Sequence, residues 1–99
     1  MDAKTSIQHD REQQRFECTQ DGETAYLTYH WTGPETIAVT HTVTPNALRG
    51  QGIAGALSEV ATQWFRKEGL KVEPHCWFYA RYLRKHPEAQ DVLASGGFG

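Results

Sequence analysis

The chain has 99 residues, enough for one domain with one modest core, which excludes a two-domain enzyme. Apolar residues make up 38% and charged residues 22%; with 11% aromatics this is a folding composition, not a disordered one. The charge balance of 10 basic to 12 acidic side chains, net -2, provides no basic field to attract nucleic acid.

No apolar run approaches the roughly 20 residues that cross a membrane. The opening MDAKTSIQHD is polar and lacks the apolar centre of a secretion signal. Cys18 and Cys76 are too few for a disulfide framework, so reduced thiols in a cytoplasmic protein are expected.

A short first strand is read around Thr5–Asp10. RFECTQ, residues 15–20, and the alternation of Ala25, Leu27, Tyr29 and Trp31 with Thr24, Tyr26, Thr28 and His30 give two more strands. Asp21-Gly22 between them signals a hairpin. Gly33-Pro34 marks the next turn. Ile37, Val39, His41 and Val43 then alternate with Thr36, Ala38, Thr40 and Thr42, which places His41 on an otherwise apolar strand face. After Pro45-Asn46, Ile53, Leu57, Val60, Ala61, Trp64 and Phe65 recur at helical spacing, predicting a helix from about Gly52 to Glu68 with Gly69 as its C-terminal glycine. Leu70–Pro74 fits a strand joined through that helix, hence parallel to its neighbour. His75 to His86 reads as a second helix with Phe78, Tyr79, Tyr82 and Leu83 inward, stopping before Pro87. The expectation is an α+β fold of order β-β-β-β-α-β-α in a single domain over residues 1–94. Residues 95–99 are expected to form a flexible tail. A sheet edge left open could pair two chains, so a monomer or weak dimer is expected.

LRGQGIAGAL, residues 48–57, is the informative stretch. Gly50, Gly52 and Gly55 match G-x-G-x-x-G, and Glu73 lies where the dinucleotide-binding motif wants an acid. The context is wrong for that motif: six residues separate the strand from the first glycine, and the upstream strands are antiparallel. The physics of the loop is independent of the motif. Glycine-rich backbone opening a helix presents unpaired N–H groups and a positive dipole end, an anion site suited to phosphate. The P-loop lysine is absent, so triphosphate hydrolysis has no support. Glycines that merely allow tight packing are the plainer reading.

Arg49-Gly50-Gln51-Gly52-Ile53-Ala54 resembles the R/Q-x-x-G-x-G/A signature of the GNAT superfamily of N-acetyltransferases. THTVTPNALRGQGIAGAL (40–57), EGLKVEPHC (68–76) and YLRKHPE (82–88) are similar to a short, single-domain YjdJ-like branch of it. The resemblance implies a truncated GNAT fold, acetyl-CoA or CoA as cofactor, and an amine as acceptor. It implies that backbone groups around Val43 pair with the pantetheine arm. The amides of Arg49, Gly50, Gln51, Gly52, Ile53 and Ala54, with Gly55, would take the pyrophosphate.

Acetyl transfer needs a neutral amine, a donor for the oxyanion and a proton for the departing thiolate. Cys76, between the last strand and the second helix, sits near a helix N-terminus, a setting that favours thiolate; His75 and His41 are candidate proton acceptors beside it. The branch it resembles carries a cysteine here, followed by a residue smaller than Trp77. Cys76 is equally read as a small buried hydrophobe. Tyr82 stands where many GNAT enzymes have a proton-donating tyrosine, and equally where a helix packs its core. His41, Cys76 and Tyr82 are therefore the catalytic candidates, and no metal spacing is present. The leading expectation is an N-acetyltransferase. A CoA-binding or sensing module without efficient catalysis, and an interaction domain that binds no CoA, are the alternatives.

Overall fold

The computed structural model describes residues 6–94. Strands β1 (Ile7–Asp10), β2 (Arg15–Gln20), β3 (Glu23–Trp31) and β4 (Thr36–Val43) are followed by a 3-10 turn at Asn46–Leu48, helix α1 (Ile53–Lys67), strand β5 (Lys71–Pro74) and helix α2 (Trp77–Lys85). A last 3-10 segment covers Pro87–Val92. The five strands form one sheet in sequence order, antiparallel except for β4 and β5, which are parallel across the α1 connection. The α+β expectation and its order of elements agree with this architecture. The C-terminal tail, residues 95–99, lies outside the described residues.

Local chemistry accounts for the elements. Gln20 pairs with Glu23 across the two-residue turn Asp21-Gly22, both of whose residues have positive φ, as a type I′ hairpin requires. Helix α1 buries Ile53, Leu57, Ala61 and Phe65 along one stripe, and ends with Arg66 and Lys67 where the dipole favours cations. Both helices pack on one face of the sheet, against Phe16, Leu27, Ile37, Val39 and Val72. A buried 2.6 Å hydrogen bond between Thr62 Oγ1 and the Tyr79 hydroxyl joins the two helices. The opposite sheet face is polar: Arg15 there bonds Glu17 at 2.6 Å and lies over the Tyr26 ring.

Three expectations need correction. The alternation of β4 is not strict. Thr28 pairs with His41 but Tyr29 pairs with Val39, so Thr40 is an extra residue, a β-bulge. Side-chain parity inverts there. Ile37 and Val39 are buried, but Thr42, opposite the buried Leu27, takes the core-side place; His41 and Val43 turn out to solvent. The apolar strand face assigned to His41 therefore ends at Val39. Helix α2 begins two residues later than expected, because the N–H groups of His75 and Cys76 both donate to Val39 O and hold them extended. It buries Tyr79, Ala80 and Leu83, leaving Phe78 and Tyr82 half-buried. Finally, the β5 edge is covered at Val72, which bridges to Leu93 and accepts the Ala94 N–H at 2.9 Å.

Among the described residues, no helix is long and apolar enough to cross a membrane.

Candidate functional site

The register of β4 and β5 creates the site. Their pairing stops at Val39 and Pro74, yet β4 continues to Val43. Among the described residues, its last residues have no strand partner on the β5 side, and the two strands part. A cleft of about 380 Å³ lies at the parting. Thr42 and Thr44 line it from the strand end, Ile53, Ala54 and Gly55 from the first turn of α1, and Trp77 and Phe78 from the first turn of α2.

Two helix N-termini thus meet on one cavity. Neither first turn contains an acidic residue to oppose the dipole. The loop before α1 strengthens the effect. Gly50 and Gly52 have φ of 83° and 74°, and Gly52 is the N-cap in the left-handed region. This conformation exposes the backbone N–H groups from Gly50 to Gly55, which have no acceptor among the described residues. They line or border the cleft, a ready anion cradle. The Arg49 N–H differs, since it donates to Asn46 O at 3.2 Å. The Arg49 side chain reaches back from the loop, Nε donating to Thr44 O at 3.3 Å, and so fastens the loop to the strand end. Of the expected anion-site residues, Arg49, Gly50, Gly52, Ile53, Ala54 and Gly55 line the cleft; Gln51 is exposed beside it.

The candidates for chemistry do not gather into one constellation. Cys76 is a free thiol, 7% exposed, at the N-cap of α2; its Sγ donates to Thr42 Oγ1 at 3.5 Å. Neither His75 nor His41 bonds it. His75 instead pairs with Glu73 at 3.1 Å, and that bond, with a second from Thr32, holds the Glu73 carboxyl below its ordinary range. His41 is exposed beyond the bulge. Tyr82 stacks on Tyr79 and on His86, at 6.1 and 4.3 Å between ring centres, and does not line the cleft. The Tyr79 hydroxyl, in contrast, is buried, and burial pushes its ionisation far above the ordinary phenol range.

Thr42 and Thr44 were not singled out by the sequence reading, and nor was Phe78 as a cleft residue. Thr42 could only be found by locating the bulge, for which the β4 sequence carries no glycine or other turn signal.

Comparisons with known proteins agree with this arrangement. The GCN5-related N-acetyl-transferase family matches over residues 15–92. The chain is 35% identical over 94 residues to Protein NATD1 of Xenopus tropicalis, covering 91% of this chain and 86% of that one. It is 33% identical to Protein NATD1 of Mus musculus over 86 residues, 85% and 78% of the two chains. The solution NMR structure of a GCN5-like candidate N-acetyltransferase from Staphylococcus aureus superposes with a TM-score of 0.73 at 27% identity, over 89% of this chain and 86% of that one. A strand pair that parts at a bulge, a glycine-rich turn with free amides and a family match spanning most of the fold lead to one conclusion: the chain belongs to the GCN5-related N-acetyltransferase family.

Proposed function

We propose that the chain binds acetyl-CoA in the cleft and transfers its acetyl group to an amine. The observation that carries this reading is the run of unpaired N–H groups from Gly50 to Gly55 beside the unpartnered end of β4. The amides suit the pyrophosphate, and backbone groups near Val43 suit an extended amide-bearing arm, which pairs with a strand edge as another strand would. The buried thiol of Cys76 lies one hydrogen bond from the cleft wall at Thr42. In the transfer the amine nitrogen bonds the acetyl carbon, the carbon–sulfur bond breaks, the nitrogen sheds a proton and the thiolate gains one. The two free thiols suit a reducing, cytoplasmic setting.

One observation favours a second reading, a CoA-binding module with little turnover. Among the described residues, no Asp, Glu or His lines the cleft, so proton removal falls to water or to the acceptor itself.

Titration of acetyl-CoA, CoA and NAD, followed by backbone amide shifts, tests the cofactor. Shifts centred on Val43 and Gly50–Gly55 with the CoA ligands alone support it. No shift with any of the three at millimolar concentration rejects it. A panel of primary amines, read by release of free CoA, then separates enzyme from module. Intact mass after acetyl-CoA shows whether Cys76 carries acetyl, and Cys76→Ala shows whether turnover needs it.

A further inference from the structure

A second cavity, of about 360 Å³, opens between the β3–β4 turn and the C-terminal end of α1. Helix α1 has 15 residues, which puts the two cavities about 20 Å apart along its axis. The rings of Tyr29, Trp31 and Trp64 line this second cavity, and so do Glu35 and Glu68. Trp31 is 46% exposed, so its indole adds little to the core. Among the described residues, neither carboxylate has a hydrogen bond or an ion pair. The chain itself shows what this wall accepts: the Arg11 guanidinium lies over the Trp64 ring, 5.6 Å from its centre, and has no ion pair among the described residues.

We propose that this cavity is a binding site for an alkylammonium cation, held against Trp31 and Trp64 with Glu35 and Glu68 as counter-charges. An indole face attracts a cation through its ring quadrupole, most strongly where apolar walls thin the water around it. Two unpaired carboxylates outweigh the one guanidinium, so the cavity disfavours anions. Arg11 is then an internal competitor, resting where part of the ligand would sit. The same chemistry is offered by a free amine and by the end of a lysine side chain.

Tetramethylammonium chloride, Nα-acetyl-lysine amide and a short peptide with one central lysine serve as probes, against sodium chloride at matched ionic strength. The readout is the pair of indole N–H signals of Trp31 and Trp64. The alcohol 3,3-dimethylbutanol, whose tert-butyl group has the shape of a trimethylammonium group without its charge, is the control for simple apolar contact. Saturable shifts of both indoles are expected with the cations and not with the alcohol. Trp31→Ala, and the double variant Glu35→Gln with Glu68→Gln, should each weaken binding about three- to thirtyfold. These side chains are exposed, and an unchanged amide spectrum at Gly50–Gly55 certifies that each variant is folded. Arg11→Ala should tighten binding. Tighter binding of the peptide than of the lysine amide assigns the ligand to a polypeptide, and equal binding assigns it to a free amine. Absence of saturable shifts at tens of millimolar, equal shifts with the alcohol, or weaker cation binding in Arg11→Ala would each overturn the proposal.

Discussion

Gly55 occupies the first turn of α1, where a Cβ would meet nothing within 4 Å. Neither packing nor backbone strain requires glycine there, and glycine in a helix costs up to about 1 kcal/mol relative to alanine. Gly55→Ala should therefore stabilise the ligand-free protein by about 0.5 kcal/mol, the smaller figure suiting a helix end. For a chain of this size that raises Tm by about 2–4 °C. The same methyl points back toward the helix N-terminus, into the cleft. An anion accepting a hydrogen bond from the Gly55 or Ala54 amide sits about 2.9 Å from its nitrogen, and the methyl crowds that approach. Affinity for CoA should fall at least about tenfold, a loss of about 1.4 kcal/mol. Thermal melts and calorimetric titration of one variant measure both effects. Gly52→Ala is the contrast: at φ 74° the alanine costs about 1–2 kcal/mol, and Tm should fall. A Gly55→Ala protein that is more stable and binds CoA as tightly as the parent would refute the close approach. One that is less stable would refute the account of the helix start.

Three further outcomes follow from the packing. Tyr79→Phe removes the buried 2.6 Å bond to Thr62 and should cost about 1 kcal/mol in urea denaturation; an unchanged midpoint would show that the bond contributes nothing to holding α2 on α1. Burial, with help from the Arg11 charge, lowers the His9 pKa below its ordinary 6.5. The unfolded chain therefore takes up a proton first as pH falls through 6.5, and stability should decline below that point; in His9→Gln this part of the decline should vanish, and an identical pH profile would contradict the assignment. The Arg66 guanidinium holds the Asp91 carboxyl below its ordinary 3.8, so the pair contributes above about pH 4 and is lost as pH falls through the lowered value. Asp91→Asn should flatten the acid end of the stability curve, with little change at pH 7 because both groups are half exposed.

Local signals wrote most of the fold into the sequence. Asp21-Gly22 can make only a tight hairpin of the kind observed, and the Ile53–Phe65 stripe has only one helical reading. The glycine loop was legible for the same reason, since positive φ at Gly50 and Gly52 is demanded by the loop itself. What stayed hidden depends on partners distant in sequence. The bulge at Thr40 arises from how β4 lies against β3, and without it His41 and Thr42 exchange faces. The late start of α2 is set by Val39 O, some 36 residues upstream of the amides it accepts. The Val72–Leu93 bridge over the β5 edge likewise joins segments whose sequences carry no strand signal for each other.

The bulge makes β4 a strand written in two reading frames. Upstream of Thr40 its even-odd pattern serves the core; downstream the frame has slipped by one and serves the cleft. Loss of a single residue at Thr40 would restore one continuous frame. His41 would stay on the outer face and the threonine that meets Cys76 on the inner one, because the deletion removes the extra residue and leaves Thr28–His41 and Tyr29–Val39 as successive pairs of a regular ladder. A one-codon deletion there would thus spare the facing of both the hydrophobic interior and the cleft wall, whereas pairing Thr40 in regular register, with no bulge, would turn His41 inward and Thr42 outward and strike both together.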